Sequence, residues 1–214
     1  MRSGPLVRGL PRLWSAALGP RLNAARVYLR PPTIDDWRAW SELRRESRGF
    51  LTPWEPTWPA DALTVPAFRR RIRQYARERQ ARSGFSFLIF RRAEAAGPGE
   101  PRGADALVGG ASLTNVRRGV SQSASLGYWI GRRYARQGYM HEALVELLDW
   151  SFGPLGLHRV EAACLPGNRP SRGLLEKLGF TEEGLARGYL MIDGRWQDHV
   201  LYGLVDADWK ARRD

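Results

Sequence analysis

The stretch Leu126-Gly127-Tyr128-Trp129-Ile130-Gly131-Arg132-Arg133-Tyr134-Ala135-Arg136-Gln137-Gly138-Tyr139-Met140-His141-Glu142-Ala143-Leu144 decides how this chain is read. It starts as a β-type run, crosses a short basic loop and opens a helix at Gly138. Met140, Ala143, Leu144, Leu147 and Leu148 fall on one face of that helix, with Glu142, Glu146 and Asp149 on the other side. A helix start presents free N–H groups and the positive end of a dipole, which suits a pyrophosphate. Gly138 lets backbone approach a phosphate with no Cβ in the way, and Arg132, Arg133 and Arg136 add positive charge. Taken alone, the same residues also describe an ordinary strand-to-helix turn with a packing glycine.

Upstream, Val27–Arg30 reads as a strand ended by Pro31-Pro32, and Thr33 with Asp36 as a capping pair before a helix over 35–47. Residues 50–56 form an aromatic, proline-rich loop, and a helix rich in arginine runs from about Pro66 to Ala81. Its arginine run reads as a solvated face. Phe85–Phe90, Leu107–Leu113 and Gln122–Ile130 read as strands, and 91–105 as a mobile hairpin tip. Downstream come a strand to Cys164, a helix over Asn168–Leu178, and strands over Leu185–Ile192 and Val200–Val205. The order β-α-α-β-β-β-α-β-α-β-β predicts an α+β fold: a mixed, mostly antiparallel sheet of about seven strands flanked by about four helices.

A second motif is Asn168-Arg169-Pro170-Ser171, followed by Leu174-Leu175-Glu176-Lys177-Leu178-Gly179-Phe180. Asn168 is a natural N-cap, Pro170 is tolerated in a first helical turn, and Gly179 ends the helix. On these grounds alone Ser171 is equally a solvated hydroxyl.

At 214 residues, with 43% hydrophobic and 26% charged residues, the chain fits one globular domain, placed at 26–210. Residues 1–25 lack acidic side chains and read as a poorly ordered basic leader. Lys plus Arg exceed Asp plus Glu by 34 to 22, so anionic partners are attracted at long range. Cys164, the only cysteine, excludes an intrachain disulfide and a thiolate zinc cluster, and His141, His158 and His199 show no metal spacing, so no metal is expected. No apolar run approaches a membrane span, and a cytoplasmic setting is expected.

The loop Arg136-Gln137-Gly138-Tyr139-Met140, together with Asn168-x-x-Ser171 and Lys177-Leu178-Gly179-Phe180, resembles the GNAT acetyltransferase superfamily. Phe50-Leu51-x-Pro53-Trp54-Glu55-Pro56, Leu126-Gly127-Tyr128-x-Ile130-Gly131, and the run from Tyr189-Leu190-x-Ile192-Asp193-Gly194 through Trp196 and Asp198-His199-Val200-Leu201 resemble its RimJ type, the ribosomal-protein-alanine N-acetyltransferases. The resemblance spans about Val27 to Trp209. The loop departs from the superfamily pattern at Ala135 and Met140.

The resemblance implies acetyl-CoA in a wedge between the strands ending at Ile130 and Cys164. Pantetheine would pair with backbone of Trp129, Ile130 and Gly131, the pyrophosphate would meet amides from Arg136 to His141 (Gln137, Gly138, Tyr139 and Met140 among them), and Asn168 would hydrogen-bond the pantetheine arm. A substrate amine would attack the thioester directly, and Ser171 is the implied acid for the leaving thiolate. Glu55, Asp198 and His199 are the candidate bases, each with a plain structural alternative. Trp54, Trp58, Tyr189 and Trp196 are candidates for the acceptor groove and equally for the core. The acceptor implied is a protein N-terminus, beginning with Ala, of a ribosomal protein, with a possible rRNA contact through the basic surface and no membrane partner. The alternatives are a small-amine acetyltransferase acting on a polyamine or antibiotic, and a non-catalytic protein that binds acetyl-CoA or RNA.

Overall fold

A computed structural model describes residues 19–97 and 103–213. One mixed sheet organises them, with strands in the order β1-β2-β3-β4-β5-β6-β8-β7. The strands are β1 Leu22–Asn23, β2 Val27–Arg30, β3 Phe85–Arg91, β4 Ala106–Arg117, β5 Ser123–Ile130, β6 Arg159–Cys164, β7 Thr181–Ile192 and β8 Arg195–Val205. Every neighbouring pair is antiparallel except β5 and β6. The helices are α1 Trp37–Glu46, α2 Arg48–Leu51, α3 Val65–Gln80, α4 Tyr139–Phe152, α5 Arg169–Leu178 and α6 Asp206–Ala211. No described helix is long and apolar enough to cross a membrane.

The fold class is the one expected, with eight strands in place of about seven and two short helices added at α2 and α6. The extra strand is β1, which falls inside the segment read as a leader: Leu22 pairs with Leu29 and is buried in the core. The ordered domain therefore begins before residue 26, because β2 offers a free edge and Leu22 an apolar side chain to cover it. The rest of that leader, 1–18, and residues 98–102 of the expected hairpin tip lie outside the described residues. The ends of that tip are pinned, since Asp105 accepts hydrogen bonds from the Tyr28 hydroxyl and the Ala93 N–H, both 2.9 Å.

Local chemistry explains the element ends. The Asp36 carboxylate accepts the Thr33 N–H at 2.7 Å and pairs with Arg30, fixing the turn that leads into α1. Thr64 caps α3, and Gly179, at φ +92°, ends α5. β7 and β8 are longer than the sequence reading because Asp193 (φ +47°) and Gly194 (φ +75°) make a two-residue hairpin turn, closed by the pair Ile192 and Arg195. Positive φ at both central residues matches strand twist, and an Asp-Gly dipeptide supplies it.

Adjacent residues of β5 show which helices cover which face, since neighbouring strand side chains point to opposite sides. Tyr128 reaches Ser171 on α5, whereas the Trp129 ring lies under Arg44 of α1. α4 packs beside α5, and α3 joins α1 through the Trp40 and Phe68 rings, 4.8 Å apart. Met140, Ala143, Leu144, Leu147 and Leu148 are all buried, as the periodicity of α4 required.

Where β5 ends, α1 comes so close that a Cβ on Gly131 would lie 2.4 Å from Leu43 Cδ1 and 2.9 Å from its Cγ. Leu43 is itself buried and has nowhere to retreat. Gly131→Ala is expected to destabilise the fold by about 1–3 kcal/mol, the usual range for overpacking. Urea denaturation checks this, and an unchanged midpoint would refute the contact.

Candidate active site

Three residue pairs, Ser123–Arg159, Ala124–Val160 and Ser125–Glu161, hold β5 to β6. Beyond them β5 stays paired to β4 as far as Ile130, while β6 stays paired to β8 as far as Cys164. The two parallel strands therefore part, and a gap opens between Leu126–Ile130 and Ala162–Cys164. The Gly131 N–H donates to the Val108 carbonyl at 2.8 Å, which sets the phase of the ladder. Alternate residues of an antiparallel strand bond the same neighbour, so Trp129 also turns its backbone toward β4, and Ile130 turns its N–H and C=O toward the gap. Of the three residues expected to pair with a pantetheine arm, Ile130 is the one whose backbone groups face it.

One end of the gap is bounded by the loop 131–138. Arg136, at φ +64°, and Gly138, at φ +84°, both adopt left-handed backbone, and Gly138 is the N-cap of α4. No side chain caps this helix start. Outside braces hold the loop: the Ser47 hydroxyl accepts the Arg132 N–H at 3.0 Å, and the Gln137 amide donates to the Arg133 carbonyl at 2.8 Å. Arg26 was missed by sequence reasoning. Its guanidinium donates to Glu142 (2.8 Å) and to the Gln137 carbonyl (3.2 Å), lies over the Tyr139 ring, and sits where a Cβ on Gly138 would be 3.0 Å from Nη2. The only sequence signal was an acidic residue, Glu142, in the first turn of a helix meant to face phosphate. Arg26 neutralises it. His141, in the same turn, is shifted toward its neutral form by burial and then by Lys177.

At the mouth of the gap stands the start of α5. Asn168 Oδ1 accepts the Ser171 N–H at 3.2 Å, so the carbonyl side of the amide caps the helix. Ser171 Oγ lies 2.7 Å from the Tyr128 hydroxyl. Cys164 is buried beside them, and burial raises its thiol pKa, which keeps it protonated and unsuited to nucleophilic attack.

The α1/α3 face carries two clefts that meet β5. One, of about 420 Å³, is walled by Trp40, Arg44, Glu55, Trp58 and Trp129 and floored by Gly110 and Gly127. Gly110 is needed there, because a Cβ would lie 2.6 Å from Trp129 Nε1. The other, of about 580 Å³, runs over Ser125, Arg117, Glu161 and Glu78 to Tyr189. Among the aromatic candidates Trp58 lines the first cleft and Tyr189 the second. Trp54 lines neither, and Trp196 is 66% exposed near the hairpin tip.

The three candidate bases are not brought together. Glu55 accepts both arms of the Arg44 guanidinium (2.9 and 2.6 Å) and the Trp58 indole N–H (2.8 Å), so its lone pairs are committed to the cleft wall. Asp198 is exposed and accepts the Gly188 N–H at 2.8 Å, pinning the irregularity in β7. His199 is buried, and its Nδ1 lies 3.0 Å from the Gln197 carbonyl. A carbonyl only accepts, so Nδ1 is the donor in this contact. Gly138→Ala puts a side chain on left-handed backbone against Arg26. A rise of about tenfold in Kd for acetyl-CoA is expected from a strain of roughly 1–2 kcal/mol. Calorimetry measures it, and an unchanged Kd would detach Gly138 from the ligand.

A profile of the acetyltransferase (GNAT) domain matches residues 26–181. The chain is 34% identical over 195 residues to the ribosomal protein uS5-alanine N-acetyltransferase of Escherichia coli (strain K12), covering 90% of this chain and 94% of the relative. It is 32% identical over 187 residues to the probable N-acetyltransferase YjcK of Bacillus subtilis (strain 168), covering 87% and 98%. Among solved structures it is similar to the ribosomal-protein-S5-alanine acetyltransferase of Vibrio fischeri (TM-score 0.78, 27% identity, 89% and 99% covered). It is also similar to Mycobacterium smegmatis RimJ in complex with CoA-disulfide (TM-score 0.74, 34% identity, 88% and 86% covered). With the parted strands and the glycine-led helix start, these likenesses establish that the chain belongs to the GNAT acetyltransferase family, as an acyltransferase whose cosubstrate is acetyl-CoA.

Proposed function

We propose that the chain transfers acetyl from acetyl-CoA to the α-amino group of a protein N-terminus, with alanine as the first residue and a ribosomal protein as the acceptor. The observation that carries the reading is the gap at Ile130, with a phosphate-ready helix start on one side and a tryptophan-walled cleft on the other. The Escherichia coli relative's name supplies the acceptor class. In this reading the Ile130 backbone pairs with the pantetheine as an added strand would, amides from Gly138 to His141 receive the pyrophosphate, and the Asn168 amide N–H₂ holds the arm. An N–H near Ile130 meets the negative charge that develops on the thioester oxygen. Ser171 serves the leaving sulfur, and the acceptor amine attacks directly.

An α-amine with a pKa of roughly 7.7–8.0 is partly neutral at pH 7, whereas a lysine amine at roughly 10.4 needs a strong base. Glu55 and Asp198 are engaged elsewhere, which favours the α-amine. A polyamine would be drawn to acidic side chains; in the second cleft Glu161 is paired with Arg117 and Arg159, and Glu78 accepts the Gln74 amide at 2.8 Å. Ribosomal contact is proposed along α3, where the exposed Arg69, Arg73 and Arg77 recur every four residues. Like charges at that spacing oppose helix formation slightly, and an RNA phosphate backbone would neutralise them. The acceptor places the reaction in the cytoplasm.

Mass spectrometry of peptides starting with Ala, Ser or Thr, beside N-terminally blocked lysine peptides, tests the acceptor. Acetylation of the free N-termini is expected, and modification of the lysine peptides alone would overturn the reading. With ribosomal subunits as acceptor, rising salt should depress kcat/KM more than it does for a peptide; equal depression removes the α3 contact. Ser171→Ala is expected to lower kcat about a hundredfold, the low end for general acid help. Asp198→Asn, whose partner is a backbone N–H, should stay within about twofold, since removing a surface polar group changes little. Steady-state kinetics with an alanine peptide decides, and the reverse ranking would move the acid role away from Ser171.

A further inference from the structure

We propose that Tyr128 is a positioning residue for Ser171: its hydroxyl donates to Ser171 Oγ across the mouth of the gap and so turns the serine O–H toward the sulfur that leaves with CoA. The inference rests on the reading of Ser171 as the group serving that sulfur, and goes beyond it by saying what aims the serine.

The two residues stand 43 positions apart and meet where β5 and β6 have parted, with Tyr128 Oη 2.7 Å from Ser171 Oγ and 3.4 Å from the Ser171 carbonyl. A pair of hydroxyls 2.7 Å apart holds one proton between them, so one oxygen donates and the other accepts. Either hydroxyl can donate in the 2.7 Å pair; with Tyr128 in that role its O–H faces both Ser171 oxygens, since the carbonyl accepts only. Burial also raises the Tyr128 pKa far above its ordinary value, and the phenol keeps its proton. With Tyr128 donating, the serine proton is released from the tyrosine and free to rotate into the gap. Were the direction reversed, that proton would point at the tyrosine and away from the reaction.

Two neighbours flank the rest of the serine. Asn168 Oδ1 receives its backbone N–H, which fixes the first turn of α5. Cys164 is buried nearby, and its protonated thiol is only a weak acceptor. A leaving thiolate is a stronger one, because hydrogen bonds to an ionised group are about twice as strong as neutral ones. The serine O–H, left free by the tyrosine, therefore turns to the CoA sulfur as charge builds there. In the transfer, the thioester C–S bond breaks and its electron pair moves to sulfur. The amine nitrogen forms the new C–N bond and loses one proton, and sulfur ends as the thiol with one proton. Tyr128 neither gains nor loses a proton over the cycle.

The test is a double-mutant cycle in kcat on the full chain, with acetyl-CoA and an alanine peptide. Tyr128→Phe alone is expected to lower kcat about tenfold, the scale of one oriented hydrogen bond, with KM for acetyl-CoA within about twofold. In a Ser171→Ala background the same substitution should change kcat no further. Independent losses that multiply, a loss confined to KM, or full activity in Tyr128→Phe would each overturn the proposal. Wild-type kcat in Ser171→Ala alone would instead refute the role given to Ser171 itself. Should Tyr128→Phe fail to fold by circular dichroism, 3,5-difluorotyrosine at 128 keeps the shape and lowers the phenol pKa. Turnover should then fall at a lower pH than in the wild type, because a phenolate cannot donate, and the shift should vanish in Ser171→Ala. Superimposable pH profiles with and without fluorine would overturn the proposal.

Discussion

The parting of β5 from β6 is the constraint on which the rest of the molecule depends. Two parallel strands that stop bonding to each other expose backbone N–H and C=O groups, and unpaired backbone polar groups are ordinarily avoided. This fold limits the exposure by keeping each strand in a full ladder on its other side: β4 holds β5 to Ile130, and β8 holds β6 to Cys164. Only one edge of each strand is open, and both open edges face the same gap. A ligand with amide groups of its own would complete them. In the proposed function this gap is where cofactor and protein share a hydrogen-bond ladder.

The loop beyond Ile130 is shaped by groups distant in sequence. Left-handed backbone at Arg136 and Gly138 aims the start of α4, but such a loop does not hold itself. Leu43 presses on Gly131, Ser47 takes the Arg132 N–H, and Arg26 ties Gln137 to Glu142. The departures from the family pattern at Ala135 and Met140 fit this arrangement. Ala135 caps the 3₁₀ turn Arg132–Tyr134, and Met140 is buried in the core, so neither position is asked to contact phosphate by its side chain.

On the opposite face, Arg44 organises the tryptophan-walled cleft. It lies over the Trp58 ring at 4.2 Å and the Trp129 ring at 4.9 Å and grips Glu55 with both arms. Charge is paired inside the cleft, where Glu55 accepts both arms of Arg44, while the walls stay aromatic. The aromatic loop is also fastened to the β7–β8 hairpin, since the Asp193 N–H donates to the Glu55 carbonyl at 3.1 Å. The groove is therefore closed by two elements that approach from opposite ends of the chain.

The sequence by itself determined the elements with strong periodicity and the short motifs that start helices. The apolar face of α4, the capping of α5 by Asn168, the buried Cys164 and the mixed sheet were all legible, because each follows from contacts within a few residues or from a repeat of 3.6 or 2. Asp193-Gly194 is a hairpin signal as well, but the sequence reading begins the last strand at Val200 and so misses the turn and the full length of β7 and β8. Only the tertiary structure decided which candidates meet. Tyr128 and Ser171 are brought within hydrogen-bond distance by the crossover through α4 and β6, and Arg26 reaches Glu142 across 116 positions. Glu55 is taken by Arg44, and Asp198 by a backbone N–H at Gly188. The physical reason is plain: a side chain's role at a site depends on the partner that occupies its lone pairs, and the packing of distant segments chooses that partner.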